Sequence, residues 1–172
     1  MKTNLALIGF MGVGKTTIGK VLAKKIDMNF FDLDYEIMKR ENMKVNEIFK
    51  EKGEHYFRNL EEEIIKECET MSNTIIATGG GTILNKNNLL SLRKHANICL
   101  ISTSIDNIYK RVMRRPNKRP LLICKDTYEK IKKLLNDRKD IYKNSCDFEV
   151  YNKNEDLDEI TDIIKKIYIE EM

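Results

Sequence analysis

The residues Gly9-Phe10-Met11-Gly12-Val13-Gly14-Lys15-Thr16 fit the phosphate-binding pattern G-x-x-x-x-G-K-[ST] at every position. Glycines let such a loop curl around an anion. The exposed N–H groups and the positive end of the following helix then face the phosphates. Lys15 supplies a point charge for the outer phosphates, and the Thr16 hydroxyl is a ligand for Mg2+. The nucleotide-binding residues expected from this loop are Gly12, Val13, Gly14, Lys15, Thr16 and Thr17.

A nucleotide loop does not by itself name a reaction, and further clusters narrow it. Asp32-Leu33-Asp34 carries two carboxylates. One can help hold Mg2+ near Thr16, and the other can accept a hydrogen bond from a substrate hydroxyl and take its proton. A capping role for Asp34, at a helix starting at Tyr35, fits the same residues. Arg58 lies four residues after Glu54 and three before Glu61. It suits either a surface ion-pair ladder or, beside Phe57, a fork for a small carboxylate. Gly79-Gly80-Gly81 allows backbone N–H groups to approach a ligand closely. Arg119-Pro120-Leu121-Leu122 lies inside the segment Arg114 to Cys124, which overlaps the one basic cluster, Lys110 to Arg119, and holds both prolines, Pro116 and Pro120. That stretch is either a solvated basic loop or a lid that brings Arg119 onto a transferring phosphoryl group.

Alternating strands and helices position these clusters. Strands are expected at Leu5–Ile8, Asn29–Leu33, Thr74–Thr78, Ala96–Ser102 and Phe148–Tyr151. Helices are expected at Lys15–Ile26, Tyr35–Arg40, Val45–Lys52, Glu54–Met71, Lys86–Lys94, Ile105–Arg114, Thr127–Lys143 and Leu157–Ile169. Such alternation implies an α/β fold with a parallel sheet and helices on both faces. Ligands then bind beyond the carboxyl ends of the strands, where Gly9–Thr16, Asp32–Asp34 and Gly79–Gly81 all fall.

At 172 residues the chain is expected to form one domain, and its 41% hydrophobic residues suffice for a core. Charged residues make up 34% but nearly cancel, leaving +4, which argues against a nucleic-acid-binding face. Cys68, Cys99, Cys124 and Cys146 show neither C-x-x-C spacing nor a neighbouring histidine, so reduced thiols are expected, with Cys99 packed in a strand. No signal-peptide pattern opens the chain, and no apolar run approaches the ~20 residues of a membrane span. A cytoplasmic protein without a membrane partner is the expectation.

In order and spacing these motifs resemble the shikimate kinase family. The family patterns GxMGxGK[ST], DxD, I-F-x-x-x-G-E-x-x-F-R-x-x-E, GGG and R-P-L-L correspond to Gly9–Thr16, Asp32–Asp34, Ile48–Glu61, Gly79–Gly81 and Arg119–Leu122. The resemblance implies a three-layer α/β/α P-loop kinase fold, of the nucleoside monophosphate kinase-like group, around a five-stranded parallel sheet. A single kinase domain, 1–172, would carry a substrate-binding region at about 33–61 and a lid at about 112–125. It also implies phosphoryl transfer from ATP to the 3-hydroxyl of shikimate with Mg2+, in a protein expected to be a monomer.

By position, Lys15, Asp34 and Arg119 would be catalytic, and Arg119 would also touch the nucleotide. Thr16 and Asp32 would serve the metal, and Asp34, Arg58, Gly79, Gly80, Gly81 and Arg138 would bind shikimate. Arg138 enters only through a segment similar to the family's R-x-x-x-Y, since helix periodicity alone puts it on the surface. Seven residues before Arg119, where the family often carries an arginine beside adenine, stands Val112. Arg111 and Arg114 flank it, and either can take that role. Two other readings use the same loop: a P-loop kinase for gluconate or a nucleoside monophosphate, and a non-catalytic nucleotide-binding protein.

Overall fold

The computed structural model describes residues 2–114, 122–153 and 156–171. Strand β1 (Asn4–Ile8) is buried along its whole length, which is why its sequence is a continuous apolar run and not an alternating one. Its polar residue is satisfied: Asn4 Nδ2 donates to the Met71 carbonyl at 2.7 Å, and Oδ1 accepts from the Thr74 N–H at 3.0 Å. Strands β2 (Asn29–Asp32), β3 (Thr74–Ala77), β4 (Ala96–Ser102) and β5 (Phe148–Tyr151) complete a parallel sheet in the order β2-β3-β1-β4-β5. Leu7 lies opposite Ala77 on one side and Cys99 on the other.

Helices cover the sheet in a three-layer arrangement. Helix α1 (Lys15–Lys25) packs on β3 and on α8 (Leu157–Lys166). Lys25 ties that pair together, donating to Thr161 Oγ1 at 3.0 Å and to Asp162 at 2.7 Å. Helices α5 (Lys86–His95) and α7 (Thr127–Ser145) pack on β4. Helices α2 (Leu33–Glu41), α3 (Val45–Glu51) and α4 (Gly53–Glu67) form the segment between β2 and β3, and α6 (Ile105–Arg114) follows β4. Arg40 clamps α2 to α4 through a paired hydrogen bond to the Glu67 carboxylate at 2.7 and 2.6 Å. The core draws on every strand and both helical layers, with Leu7, Ile18, Ile64, Ile75, Ile98, Ile131 and Ile164 fully buried. Burying each such side chain contributes roughly 1.5–3 kcal/mol.

Several boundaries shift from expectation by a residue or two, and three differences stand out. Helix α2 starts at Leu33, because Asp32 and not Asp34 is the cap: its Oδ1 accepts the Tyr35 N–H at 3.0 Å. The long helix expected to run to Met71 ends at Glu67 and tightens into a 3₁₀ turn at Cys68–Thr70. The last helix is α-helical only to Lys166 and widens into a π turn over Ile167–Glu171. Cys99 is buried in β4, and all four cysteines are free thiols. Among the described residues, no helix is long and apolar enough to cross a membrane.

Candidate active site

Everything expected to touch ligand, where described, lies at the carboxyl edge of the sheet. The chain runs from β1 through the glycine loop into α1. Gly12 and Gly14 take φ of +95° and +107°, values that L side chains rarely adopt. Gly14 caps α1 in the left-handed conformation. Lys15 is only 8% exposed, and its Nζ donates to the carbonyls of Gly9 at 2.6 Å and Phe10 at 3.2 Å. The ammonium is thus folded back along the loop, already desolvated, beside the space the glycines leave open. Thr16 and Thr17 follow on the exposed first turn of α1.

β2 delivers the carboxylates to the same place. Thr16 Oγ1 donates to Asp32 Oδ2 at 2.6 Å, joining the two residues expected to serve a metal. Among the described residues, no three His, Cys, Asp or Glu side chains cluster as a metal cage. A hydroxyl and a carboxylate instead offer a hard, oxygen-only pair, and this fits Mg2+, which takes one or two protein oxygens and completes its shell with phosphate and water.

Asp34 is the second residue of α2, in its first turn, half-buried, with Oδ1 2.8 Å from where a Cβ on Gly79 would sit. Its pKa is pushed up to about 6, first by burial and then by the charges of Asp32 and Glu61, while Lys15 and Arg58 pull it down. A carboxylate poised near neutrality, within the field of the phosphate lysine, can accept a proton from a hydroxyl placed before it.

The second wall is built on α4. Phe57, Glu61, Ile64 and Ile65 form its buried face, continued by Cys68 in the following 3₁₀ turn, and Glu61, 1% exposed, is the charged member. Glu61 accepts from Arg58 Nη1 at 2.8 Å and from Thr82 Oγ1 at 2.5 Å. Glu54 holds Arg58 from the exposed side, at 3.2 and 3.3 Å. Burial opposes the charge on Arg58, but Glu61 and Glu54 outweigh it and set its pKa above the ordinary arginine value. The guanidinium also lies 5.4 Å from the centre of the Phe57 ring and 6.0 Å from that of Phe49, within cation–π range. The expected surface ladder is therefore half-internal: Arg58 is aimed by a buried carboxylate.

The glycine run closes the gap between these walls. A Cβ on Gly81 would lie 2.8–3.1 Å from the Arg58 guanidinium, and one on Gly80 would lie 3.0 Å from the Met11 nitrogen. The Gly80 carbonyl accepts from the Tyr142 hydroxyl at 2.5 Å and from Arg138 Nη1 at 3.5 Å. Arg138, expected from periodicity alone at the surface, is instead half-buried, 5.9 Å from the Phe10 ring centre. Arg58 and Arg138 thus flank the glycine run from opposite helices. Gly81→Ala is expected to leave thermal stability nearly unchanged, because a flexible arginine end can yield. It should nonetheless displace Arg58 and weaken a carboxylate ligand about tenfold. Isothermal titration with a carboxylate substrate checks this; unchanged affinity would mean that the close approach of Gly81 has no bearing on binding.

Arg119, with Pro120 and Leu121, lies outside the described residues, as do 115–118 of the expected lid. Leu122, just beyond, is buried. His55 is on the surface, 3.3 Å from Asn59. Sequence reasoning missed three participants. Glu61 was legible, since it falls at helical spacing within the apolar face Phe57, Ile64, Ile65 and Cys68. Tyr142 carried a weaker signal, as the tyrosine one turn beyond Arg138. Arg111, whose Nη1 donates to the carbonyls of Gly12 at 2.9 Å and Val13 at 2.7 Å, carried none for that contact. Arg114 is exposed.

A family model described as shikimate kinase matches residues 11–168. The shikimate kinase of Caldanaerobacter subterraneus is 36% identical over 166 residues, 96% of each chain. That of Caldicellulosiruptor bescii is 42% identical over 147 residues, 86% of this chain and 84% of its own. Among solved structures, a shikimate kinase from Acinetobacter baumannii in complex with shikimate superposes with a TM-score of 0.92 at 27% identity, covering 98% of this chain and 94% of that one. A shikimate kinase from Aquifex aeolicus gives 0.80 at 31% identity, covering 96% of each. With the P-loop, the paired aspartates and the two arginines around the triple glycine all at one sheet edge, the conclusion is direct: the chain belongs to the shikimate kinase family.

Proposed function

We propose that this protein transfers the γ-phosphoryl group of ATP to the 3-hydroxyl of shikimate, giving ADP and shikimate 3-phosphate, within one kinase domain. The observation that carries this reading is the pairing of Asp34 with Arg58 and Arg138 around Gly79–Gly81. A small acceptor needs a carboxylate to be gripped and a hydroxyl to be activated, and these groups are arranged for both ends of such a molecule. The Acinetobacter baumannii kinase in complex with shikimate supports the choice of acceptor.

In this reading the N–H groups from Gly12 to Thr17 cradle the phosphates, and Lys15 leaves the Gly9 and Phe10 carbonyls to reach the outer ones. Thr16 and Asp32 hold Mg2+, which when bound neutralises phosphate charge. Arg58 and Arg138 fix the shikimate carboxylate, with Gly80 and Gly81 as N–H donors and Gly79 keeping the backbone close to Asp34. That grip sets the 3-hydroxyl against Asp34, which accepts its proton. Arg119 would close over the transferring group. The four free cysteines support a reducing, cytoplasmic setting, and a monomer suffices because each group named comes from one chain.

Arg58→Ala is expected to raise the Kd for shikimate about 30-fold or more while changing that for ATP less than about twofold, since hydrogen bonds to charged groups contribute roughly 1.5–3 kcal/mol. Removing the guanidinium also strips the buried Glu61 of an ion-pair partner. Arg58→Lys, which keeps the charge but not the fork, therefore serves as the companion variant. Equal losses for both ligands in both variants would make Arg58 a support of the fold rather than a substrate contact.

A further inference from the structure

Among the described residues, Lys15 and Arg111 both hold the P-loop, and Arg111 lies outside the loop. Lys15 holds the carbonyls of Gly9 and Phe10. Arg111 reaches across from α6, nearly a hundred residues later, and its Nη1 donates to the carbonyls of Gly12 at 2.9 Å and Val13 at 2.7 Å. The same Nη1 lies 3.4 Å from where a Cβ on Gly14 would be. Among the described residues no peptide is cis. In a trans peptide the carbonyl and the following N–H point in opposite directions. A guanidinium that draws the Gly12 and Val13 carbonyls toward α6 therefore turns the Val13 and Gly14 N–H groups the other way, into the loop. The Val13 N–H indeed points back across the loop toward the Phe10 carbonyl at 3.4 Å, a long and weak contact that a phosphate oxygen can replace.

The glycines make this hold necessary. Gly12 and Gly14 sit at positive φ, and a backbone with two such hinges has many other conformations open to it. Val13, between them, is 1% exposed and pins the loop by one side chain. α6 itself is anchored by Ile108 and Val112, both fully buried, so Arg111 projects from a fixed element. Bonds from a charged donor to backbone carbonyls are stronger than neutral ones and orient the peptide as well as hold it.

We infer that Arg111 is a positioning residue for the phosphate cradle: it fixes the Gly12 and Val13 peptides so that the Val13 and Gly14 N–H groups converge on the triphosphate before nucleotide arrives. This role is separate from any contact with the base, and it rests on the proposal that the loop binds ATP.

Tripolyphosphate with Mg2+ separates these roles, because it has phosphates and no base. Arg111→Met is expected to raise the Kd of tripolyphosphate and of ATP by about the same factor, roughly tenfold, as for the loss of charge-assisted hydrogen bonds. In the ligand-free protein it should also speed amide hydrogen exchange at Val13 and Gly14, with the Tm and shikimate affinity retained. Arg111→Lys, which keeps charge and donors, should recover part of both losses. If Arg111→Met weakens ATP but leaves tripolyphosphate unchanged, the residue acts on the base and the inference is overturned. Weaker tripolyphosphate binding with unaltered amide exchange overturns it too, in favour of direct contact with phosphate. A wild-type protein that binds neither tripolyphosphate nor ATP would instead bring down the nucleotide reading itself, together with the inference.

Discussion

Replacing Lys15 with alanine is expected to lower kcat by about a thousandfold or more, since the loss of one preorganised charge at a transferring group commonly removes a factor of 10² to 10³ and a full charge removes more. The structure explains why Arg111 cannot substitute. Lys15 Nζ is folded onto the Gly9 and Phe10 carbonyls inside the loop, with its stem buried. Arg111, a second cation on the loop, faces its outer side through Gly12 and Val13. Lys15→Met keeps the apolar stem and serves as the control for packing. A coupled assay for ADP release, read beside the Tm of both variants, checks the expectation. Turnover within about tenfold of wild type would remove Lys15 from the chemistry.

Asp34→Asn is expected to lower kcat by about 10²–10⁴, the range general-base groups contribute, with little change in ATP affinity. The pH dependence gives this prediction a sign. Burial and the Asp32 and Glu61 charges raise the Asp34 pKa from 3.8 to about 6. The protonated form cannot take a proton from substrate, so kcat/KM for shikimate should fall as pH drops through about 6, and the residual activity of Asp34→Asn should lack that limb. Stability should run the other way. A carboxyl with a raised pKa in the folded state binds its proton more tightly there, so its contribution to stability is present below about 4 and is lost as pH rises through 6. Asp34→Asn is accordingly expected to raise the Tm at pH 8 while removing activity. A variant with lower Tm at pH 8 and an intact acid limb would assign Asp34 to structure.

Much of this arrangement was legible in the chain, and the limits of legibility have physical causes. The apolar run Leu5–Ile8 beside a complete P-loop fixed the central strand and its loop, because only a strand covered on both faces is so uniformly apolar. Asp32 and Asp34 were visible as a pair, but which one caps α2 was not. That depends on where the helix starts, and a one-residue shift exchanges a cap for a first-turn position. Arg58 and Arg138 show the same limit differently. Their helices are long enough to be recognised, yet each arginine sits at the border of the apolar stripe, where the partner across the gap decides whether it is surface or site. For Arg58 that partner is Glu61, and for Arg138 it is the Gly80 carbonyl. The contact of Arg111 with the P-loop joins segments nearly a hundred residues apart, and no local pattern encodes it.

The measurement that tests the central claim most directly is ADP release with Mg-ATP in parallel reactions containing shikimate, gluconate, CMP, AMP or no acceptor. Turnover with shikimate alone, yielding shikimate 3-phosphate, is the predicted result. Turnover with gluconate or a nucleoside monophosphate and none with shikimate would contradict the account, leaving a working P-loop whose acceptor site has been wrongly assigned to Asp34, Arg58 and Arg138.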